Sequence, residues 1–307
     1  MSVDVFYVPS QKPGRSFNLV LEGLEEHPDV SIVDDPGAAD LVFYHHQAWD
    51  HRLSFDQEKL VFVDFADDPL ITYPIEGLAY FKRSWPYPPV DPRLDPPGDP
   101  AVFEMLPPMR PSSHHPTGYA VMRDFIVEQQ YARDIDLGCF LRENMIKRRV
   151  VLHLLRQALG ASGFKVHLGP ISDAGRSTFD SSYLTALRRS KIVVTVGPDL
   201  WEGDSRTWEA LANGALVIQE ELQTPLPQPL VDGEHIAYFS ARDLHRDTMA
   251  QQEFLSTVAS YLTHLDEAAR IGAAGREHVL SHHRPVHRVD EMLRTVGAID
   301  EPLQARG

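Results

Sequence analysis

A chain of 307 residues, 43% hydrophobic and 24% charged, is longer than one core usually serves and reads as two ordinary globular domains. Its net charge of −15 opposes tight binding to bare nucleic acid, whose affinity comes mainly from Lys and Arg displacing counterions. No stretch approaches the roughly 20 apolar residues that span a bilayer, and the lone Cys139 excludes an internal disulfide.

The opening residues MSVDVFYVPS run directly into a strand-like alternation, without a basic region, apolar stretch and cleavage site, so the expected location is cytoplasmic. Residues 3–8 predict a strand, and residues 17–26 a helix after the turn-forming Pro13-Gly14. Strands are expected at 30–33, 41–44, 60–65 and 79–82, where short apolar, β-rich runs suit the buried strands of a parallel sheet. The strand-helix rhythm points to an open α/β sheet. Residues 85–116 then crowd eleven prolines into one segment, a density that blocks helices and central strands. It reads as an ordered connection wrapping the surface or lining a cleft, with a disordered linker as the alternative.

After a predicted helix at 119–131, the rhythm resumes with strand 135–140, helix 146–159, strand 165–168, helix 183–189, strand 192–196, helix 206–213 and strand 215–219. Gly214 directly after Asn213 fits a helix stop. Helices are expected at 251–265, 266–278 and 286–296. The division is therefore a first domain over 1–132, a second over 133–285, and a tail over 286–307 whose helix packs back across the first domain.

Chemistry concentrates in SKIVVTVGPDLWEGDSRTWEALANGALVI, residues 190–218: a buried strand, a polar loop, a helix opening at Ser205 and a second buried strand. Such a loop lies at the carboxyl end of a parallel sheet, where open α/β folds bind ligands. Around Ser205, Arg206 and Thr207 the helix offers unpaired N–H groups, and Arg206 adds a permanent cation whose fork matches phosphate. Glu209, about one turn on, suits the hydroxyls of a ribose. A second strand-to-helix turn carries Arg142 and then Lys147, Arg148 and Arg149, so that Arg142 first and Arg148 second are candidates for a diphosphate. Gly169-Pro170 forms the next strand-end loop. In the first domain His46 and Asp67 sit at expected strand ends and are candidate bases for an acceptor hydroxyl. The pairs His114-His115 and His282-His283 do not carry a metal reading, because adjacent side chains rarely converge on one ion. Cys139 reads as a small buried hydrophobe, since no Cys-His pairing surrounds it.

Arg206-x-x-Glu209-Ala-x-Ala-x-Gly214 followed by the strand at 215–218 resembles the GT-B glycosyltransferases, most closely the spore-maturation-protein-like group and more distantly exostosin-like and group-1 enzymes. The likeness covers roughly residues 133 to 280. It implies two Rossmann-like domains facing a cleft, with the last helix crossing back, and transfer of a sugar from a nucleotide-diphosphate sugar held by the second domain. It further implies a diphosphate near Ser205 and Arg206, ribose at Glu209, the base near Gly169, and no obligatory metal or other cofactor. The acceptor would be a glycan, a lipid-linked glycan, a protein or a small molecule. Glu202 stands one residue closer to Glu209 than the paired glutamates of retaining group-1 enzymes, which leaves retention or inversion open and makes Asp199 and Asp204 alternatives to Glu202. Other readings are a sugar-nucleotide epimerase of the same architecture and a non-catalytic nucleotide-binding module. A redox protein is disfavoured because no Gly-x-Gly-x-x-Gly follows a strand.

Overall fold

A computed structural model describes residues 2–9, 15–48, 50, 53–66, 76–84, 114–126, 131–171, 181–197, 203–222, 224–240 and 244–303, with the side chains of 15–18 excepted. In chain order the described elements begin with β1 (Val3–Tyr7), α1 (Arg15–Glu26), β2 (Val30–Ile32), β3 (Leu41–His45), β4 (Leu60–Asp64), β5 (Ala79–Lys82) and β6 (His114–Pro116). They continue with β7 (Ile135–Cys139), α2 (Ile146–Leu159), β8 (Val166–Leu168), α3 (Ser181–Arg189), β9 (Ser190–Thr195), α4 (Ser205–Ala212) and β10 (Leu216–Glu220). The last elements are β11 (Ala237–Phe239), α5 (Thr248–Thr263), α6 (Leu265–His282) and α7 (Pro285–Thr295). Two compact units result: residues 1–120, 224–226 and 283–307 in one, residues 121–223 and 227–282 in the other. The fold is α/β, with a parallel sheet in each unit.

The first unit orders its strands β2-β1-β3-β4-β5-β6. All five residues of β3 and of β4 are buried, as expected of central strands covered on both faces. Phe43, Phe62 and Phe81, on adjacent strands, are each 1% exposed or less, and each such burial contributes roughly 1.5–3 kcal/mol. Helix α7 packs on α1. The close approach depends on Gly23, where a Cβ would lie 2.5 Å from the Pro285 carbonyl oxygen and 2.5 Å from Val289 Cγ2. Charged pairs flank this contact: Arg284 Nη2 donates to Glu26 Oε2 at 2.6 Å, and His27 Nε2 lies 3.4 Å from Asp290 Oδ1.

The second unit orders its strands β11-β10-β9-β7-β8 around a core that includes Leu137, Val151, Leu155, Ile192, Ile218 and Phe254. Helix α4 opens on Asp204, whose side chain accepts from the Arg206 N–H. It closes on Gly214 at φ +72°, with Gly214 N–H bonded to Leu211 O at 2.8 Å and Ala215 N–H to Ala210 O at 3.2 Å. These are the paired bonds of a Schellman stop, and the left-handed residue they need is a glycine.

Four points differ from expectation. Residues 119–131 are not a continuous helix: Tyr119, Ala120 and Val121 are all buried and non-helical, followed by one 3₁₀ turn at Arg123–Phe125. Consecutive burial suits an extended chain rather than one helical stripe; residues 127–130 lie outside the described set. Residues 114–116 of the proline-rich segment form β6, paired in parallel with β5, whereas 85–113 lie outside the described residues. Strand β11, three residues long, was not anticipated. The helical tail starts and ends a few residues from expectation, with His264 alone separating α5 from α6. Among the described residues no helix is long and apolar enough to cross a membrane.

Gly23→Ala should destabilise the first unit by about 1–3 kcal/mol, the usual cost of an added methyl where helices already touch. Urea unfolding followed by circular dichroism measures it, and an unchanged transition would show that α7 moves aside freely.

Candidate functional site

In the second unit the chain passes from β7 outward to β8 and then returns to add β9 on the other side of β7. That reversal is a topological switch point, and the crevice outside the carboxyl ends of β7 and β9 is where this topology receives ligands. The loop after β7 delivers Arg142 and the first turn of α2, which carries Lys147 and Arg148. The loop after β9 delivers Asp204 and α4.

Asp204 joins the two. Its carboxylate is fully buried; Oδ1 accepts from the Arg206 backbone N–H at 2.9 Å, while Oδ2 accepts from Arg206 Nη1 at 2.7 Å and Arg148 Nη2 at 2.8 Å. Arg148 also reaches Asn144 Oδ1 at 3.3 Å. Beside this group, Lys147 Nζ donates to Glu220 Oε2 at 2.6 Å, and Glu220 Oε1 accepts from the Gly197 N–H at 2.7 Å. Glu220 thus ties the end of β10 to α2 and to the loop after β9. Burial raises its pKa, and the opposing pull of Lys147 is the smaller effect. Three cations and two buried carboxylates leave one positive charge in excess, beside the N-terminus of α4, which itself carries about half a positive charge.

Farther down α4, Glu209 is half-buried, and its Oε2 accepts from the Tyr183 hydroxyl at 2.5 Å. Desolvation and then the Glu209 charge push the Tyr183 pKa well above its usual value, so the tyrosine stays a donor. The Tyr183 ring stands edge-on to Phe140, centroids 5.6 Å apart. Ser205 is half-buried, with its Oγ 3.4 Å from Asp204 Oδ1. Gly169 follows β8 at φ +122° and donates its N–H to the Cys139 carbonyl at 2.9 Å.

Of the residues singled out in the sequence, Arg142, Arg148, Gly169, Ser205, Arg206 and Glu209 therefore lie on strand-end loops or adjoining helical turns of this one unit. Thr207 differs: it is fully buried, and its hydroxyl bonds to Gln219 on β10, so its side chain is turned toward the sheet and away from the helix mouth. Glu202 and Asp67 lie outside the described residues. Neither Lys147 nor Glu220 is among the ligands expected from the sequence, although an acid ending the buried run Leu216–Glu220 is a signal, because a buried charge demands a partner.

His46 belongs to the first unit, in a 3₁₀ turn after β3. Its Nδ1 accepts from the Phe65 N–H at 3.1 Å and stands 4.0 Å from Asp64 Oδ1. A ring accepting at Nδ1 carries its proton at Nε2 when neutral, so it presents a donor there. Asp64 is fully buried at the end of β4, with Lys82 Nζ at 2.8 Å and the Tyr80 hydroxyl at 2.7 Å. Among the described residues no group of three His, Cys, Asp or Glu is placed to hold a metal ion.

Two parallel α/β sheets in one chain, one with charged loops at a switch point, are the fold of the GT-B glycosyltransferases. Residues 147–294 match the family model described as glycosyl transferase-like. Solved structures with the same fold include a glycosyltransferase from Rickettsia africae (10% identity, TM-score 0.56, covering 97% of this chain and 98% of that one). They also include AviGT4, a glycosyltransferase involved in avilamycin A biosynthesis (12%, 0.55, 96% and 97%). A third is HepE of Anabaena in complex with UDP and glucose (11%, 0.51, 97% and 100%). The chain spans 50% of the length of TarM, another structure it resembles. No curated protein sequence matches the chain.

Cys139 ends β7 just below this crevice, fully buried, and burial pushes its thiol up to about 12. A thiol-disulfide reagent at pH 8 should therefore find no reactive thiol in the native protein and one in guanidinium chloride. Rapid labelling of the native protein would place Cys139 at the surface.

Proposed function

We propose that the protein transfers a sugar from a nucleoside diphosphate sugar to a hydroxyl acceptor, with the donor held by the second unit. The observation that carries this reading is the convergence of Arg148 and Arg206, from helices on either side of the switch point, at the N-terminus of α4. Charge-assisted bonds from fork-shaped cations and a helix N-terminus suit a diphosphate, and they would stabilise the charge that grows on it as the bond to the anomeric carbon breaks. Arg142 and Ser205 complete the phosphate environment in this proposal, and Gly169 borders the base.

Glu209 takes the ribose. An ionised carboxylate offers about four lone-pair sites, so it has the capacity to accept from ribose hydroxyls while Tyr183 fixes its orientation. HepE, which shares the fold, has been solved in complex with UDP and with UDP and glucose, which makes UDP and UDP-glucose the first ligands to try. Asp67 of the first unit stays the candidate base for the acceptor hydroxyl, His46, whose Nδ1 accepts from the Phe65 N–H, would serve as a hydrogen-bond donor, and Glu202 of the second unit stays a candidate catalytic carboxylate.

Titration calorimetry with UDP, GDP and ADP, and with their glucose conjugates, tests the reading. Arg206→Ala should weaken nucleotide binding roughly tenfold or more, because a hydrogen bond to a charged group is worth about 1.5–3 kcal/mol. Equal affinity of variant and parent would remove Arg206 from the phosphate site. Glu209→Gln should also lower nucleotide affinity, while the pH profile of the remaining turnover stays as it was; a shifted profile would make Glu209 a proton acceptor instead.

Because these side chains and the helix end supply the positive charge, turnover should survive exhaustive chelation with EDTA. Loss of activity restored by Mg²⁺ or Mn²⁺ would show that the donor diphosphate is bound through a metal.

A further inference from the structure

The Asp204 carboxylate does more than a helix cap requires. Capping uses one oxygen, and Asn or Ser would serve as well as Asp. Here Oδ1 meets the Arg206 N–H, and Oδ2 is held by two guanidinium groups, one from α2 and one from α4. Those helices follow β7 and β9, the strands that flank the switch point, so the fold delivers the two cations on separate elements and Asp204 sets them at one shared atom. The carboxylate is fully buried, and Arg148 is only 5% exposed; neither is a solvated surface charge free to rearrange.

We infer that Asp204 is a positioning residue that fixes Arg148 and Arg206 as a preorganised pair for the diphosphate of the donor, without touching the donor itself. The inference rests on the nucleotide-sugar reading of this site. Two effects of the carboxylate oppose each other. Its negative charge weakens the attraction of the site for an anion, yet without it two guanidinium groups would face each other beside the positive end of α4, with Arg148 still buried. Without a shared acceptor the two cations would repel and leave this arrangement, so on this inference the geometry Asp204 imposes outweighs the attraction it subtracts, and its net effect on diphosphate binding is favourable. A single carboxylate against two guanidinium groups also leaves the pair with a positive charge, which a diphosphate oxygen would then meet.

Asp204→Asn keeps the cap and removes the charge. Calorimetry on the full chain should compare the nucleoside diphosphate that binds best among UDP, GDP and ADP with its own monophosphate. The expected result is a diphosphate affinity at least tenfold weaker with a reduced preference for diphosphate over monophosphate, in a variant that still folds but with a lowered Tm. A diphosphate affinity within twofold of the parent, or tighter, overturns the inference, as does an equal fall for both nucleotides, which would mark general damage. If Asp204→Asn does not fold, Asp204→Ser caps equally well and is read in the same way; failure of both to fold makes Asp204 a purely structural residue and overturns the inference too. Absence of any nucleoside diphosphate binding by the parent protein would instead sink the nucleotide-sugar reading, an outcome distinct from a parent that binds and a variant that does not differ.

Discussion

Parallel strand pairing constrains everything else in this chain. Every described pairing between named strands is parallel, so each strand must be reached by a crossover, and crossover helices cover the sheet faces. Central strands then have no solvated face on which to carry polar groups. Charged side chains are pushed to the strand ends and the turns beyond them, and this happens in both units: Asp64 and Lys82 end β4 and β5, and Glu220 ends β10. Chemistry at the carboxyl edge is a consequence of the sheet as much as a choice made there.

The strand-end charges are buried, and burial dictates that they come in sets. Lys82 and Asp64, both fully buried, lie 2.8 Å apart, with Tyr80 donating to the same carboxylate. In the second unit the pairing runs Lys147 to Glu220 and Arg148 with Arg206 to Asp204. An isolated charge in such surroundings is costly, whereas a hydrogen-bonded set fixes geometry even where its net contribution to stability is small. Arg288 on α7 follows the same rule. It is fully buried, burial lowers its pKa to about 10, and it bonds to the Tyr119 carbonyl at 3.2 Å and His283 Nδ1 at 2.6 Å. Tyr119 and His283 stand next to the positions where the chain leaves the first unit and returns to it.

Most of the sheet was legible in the sequence because its strands are short, largely apolar runs, Ala79–Lys82 among them, and the helix Ile146–Leu159 likewise falls where the pattern places it. What was not legible depended on neighbours. The run Tyr119–Val121 has enough apolar residues for a helix, but it is buried as an extended chain beside Phe65 and Arg83. Strand β6 consists of His114, His115 and Pro116, and its only claim to strand structure is the open edge of β5. At the candidate site the helix opening, Arg148, Arg206 and Glu209 were readable from local pattern. Their partners were not. Glu220 is 73 residues from Lys147, and Asp204 is 56 from Arg148, distances over which no local periodicity speaks.

The first unit is not contiguous in the chain, and that shapes how the protein is made. Glu26 and Arg284, which join α1 to α7, are 258 residues apart. A ribosome adding about 5–20 residues per second leaves α1 without its partner for tens of seconds, while nearly all of the second unit emerges as one stretch with its own core. Vectorial synthesis therefore favours completing the middle of the chain first and closing the beginning last. During that interval the nascent first unit holds an open seam where α7 will dock, the kind of transiently uncovered apolar surface that chaperones recognise.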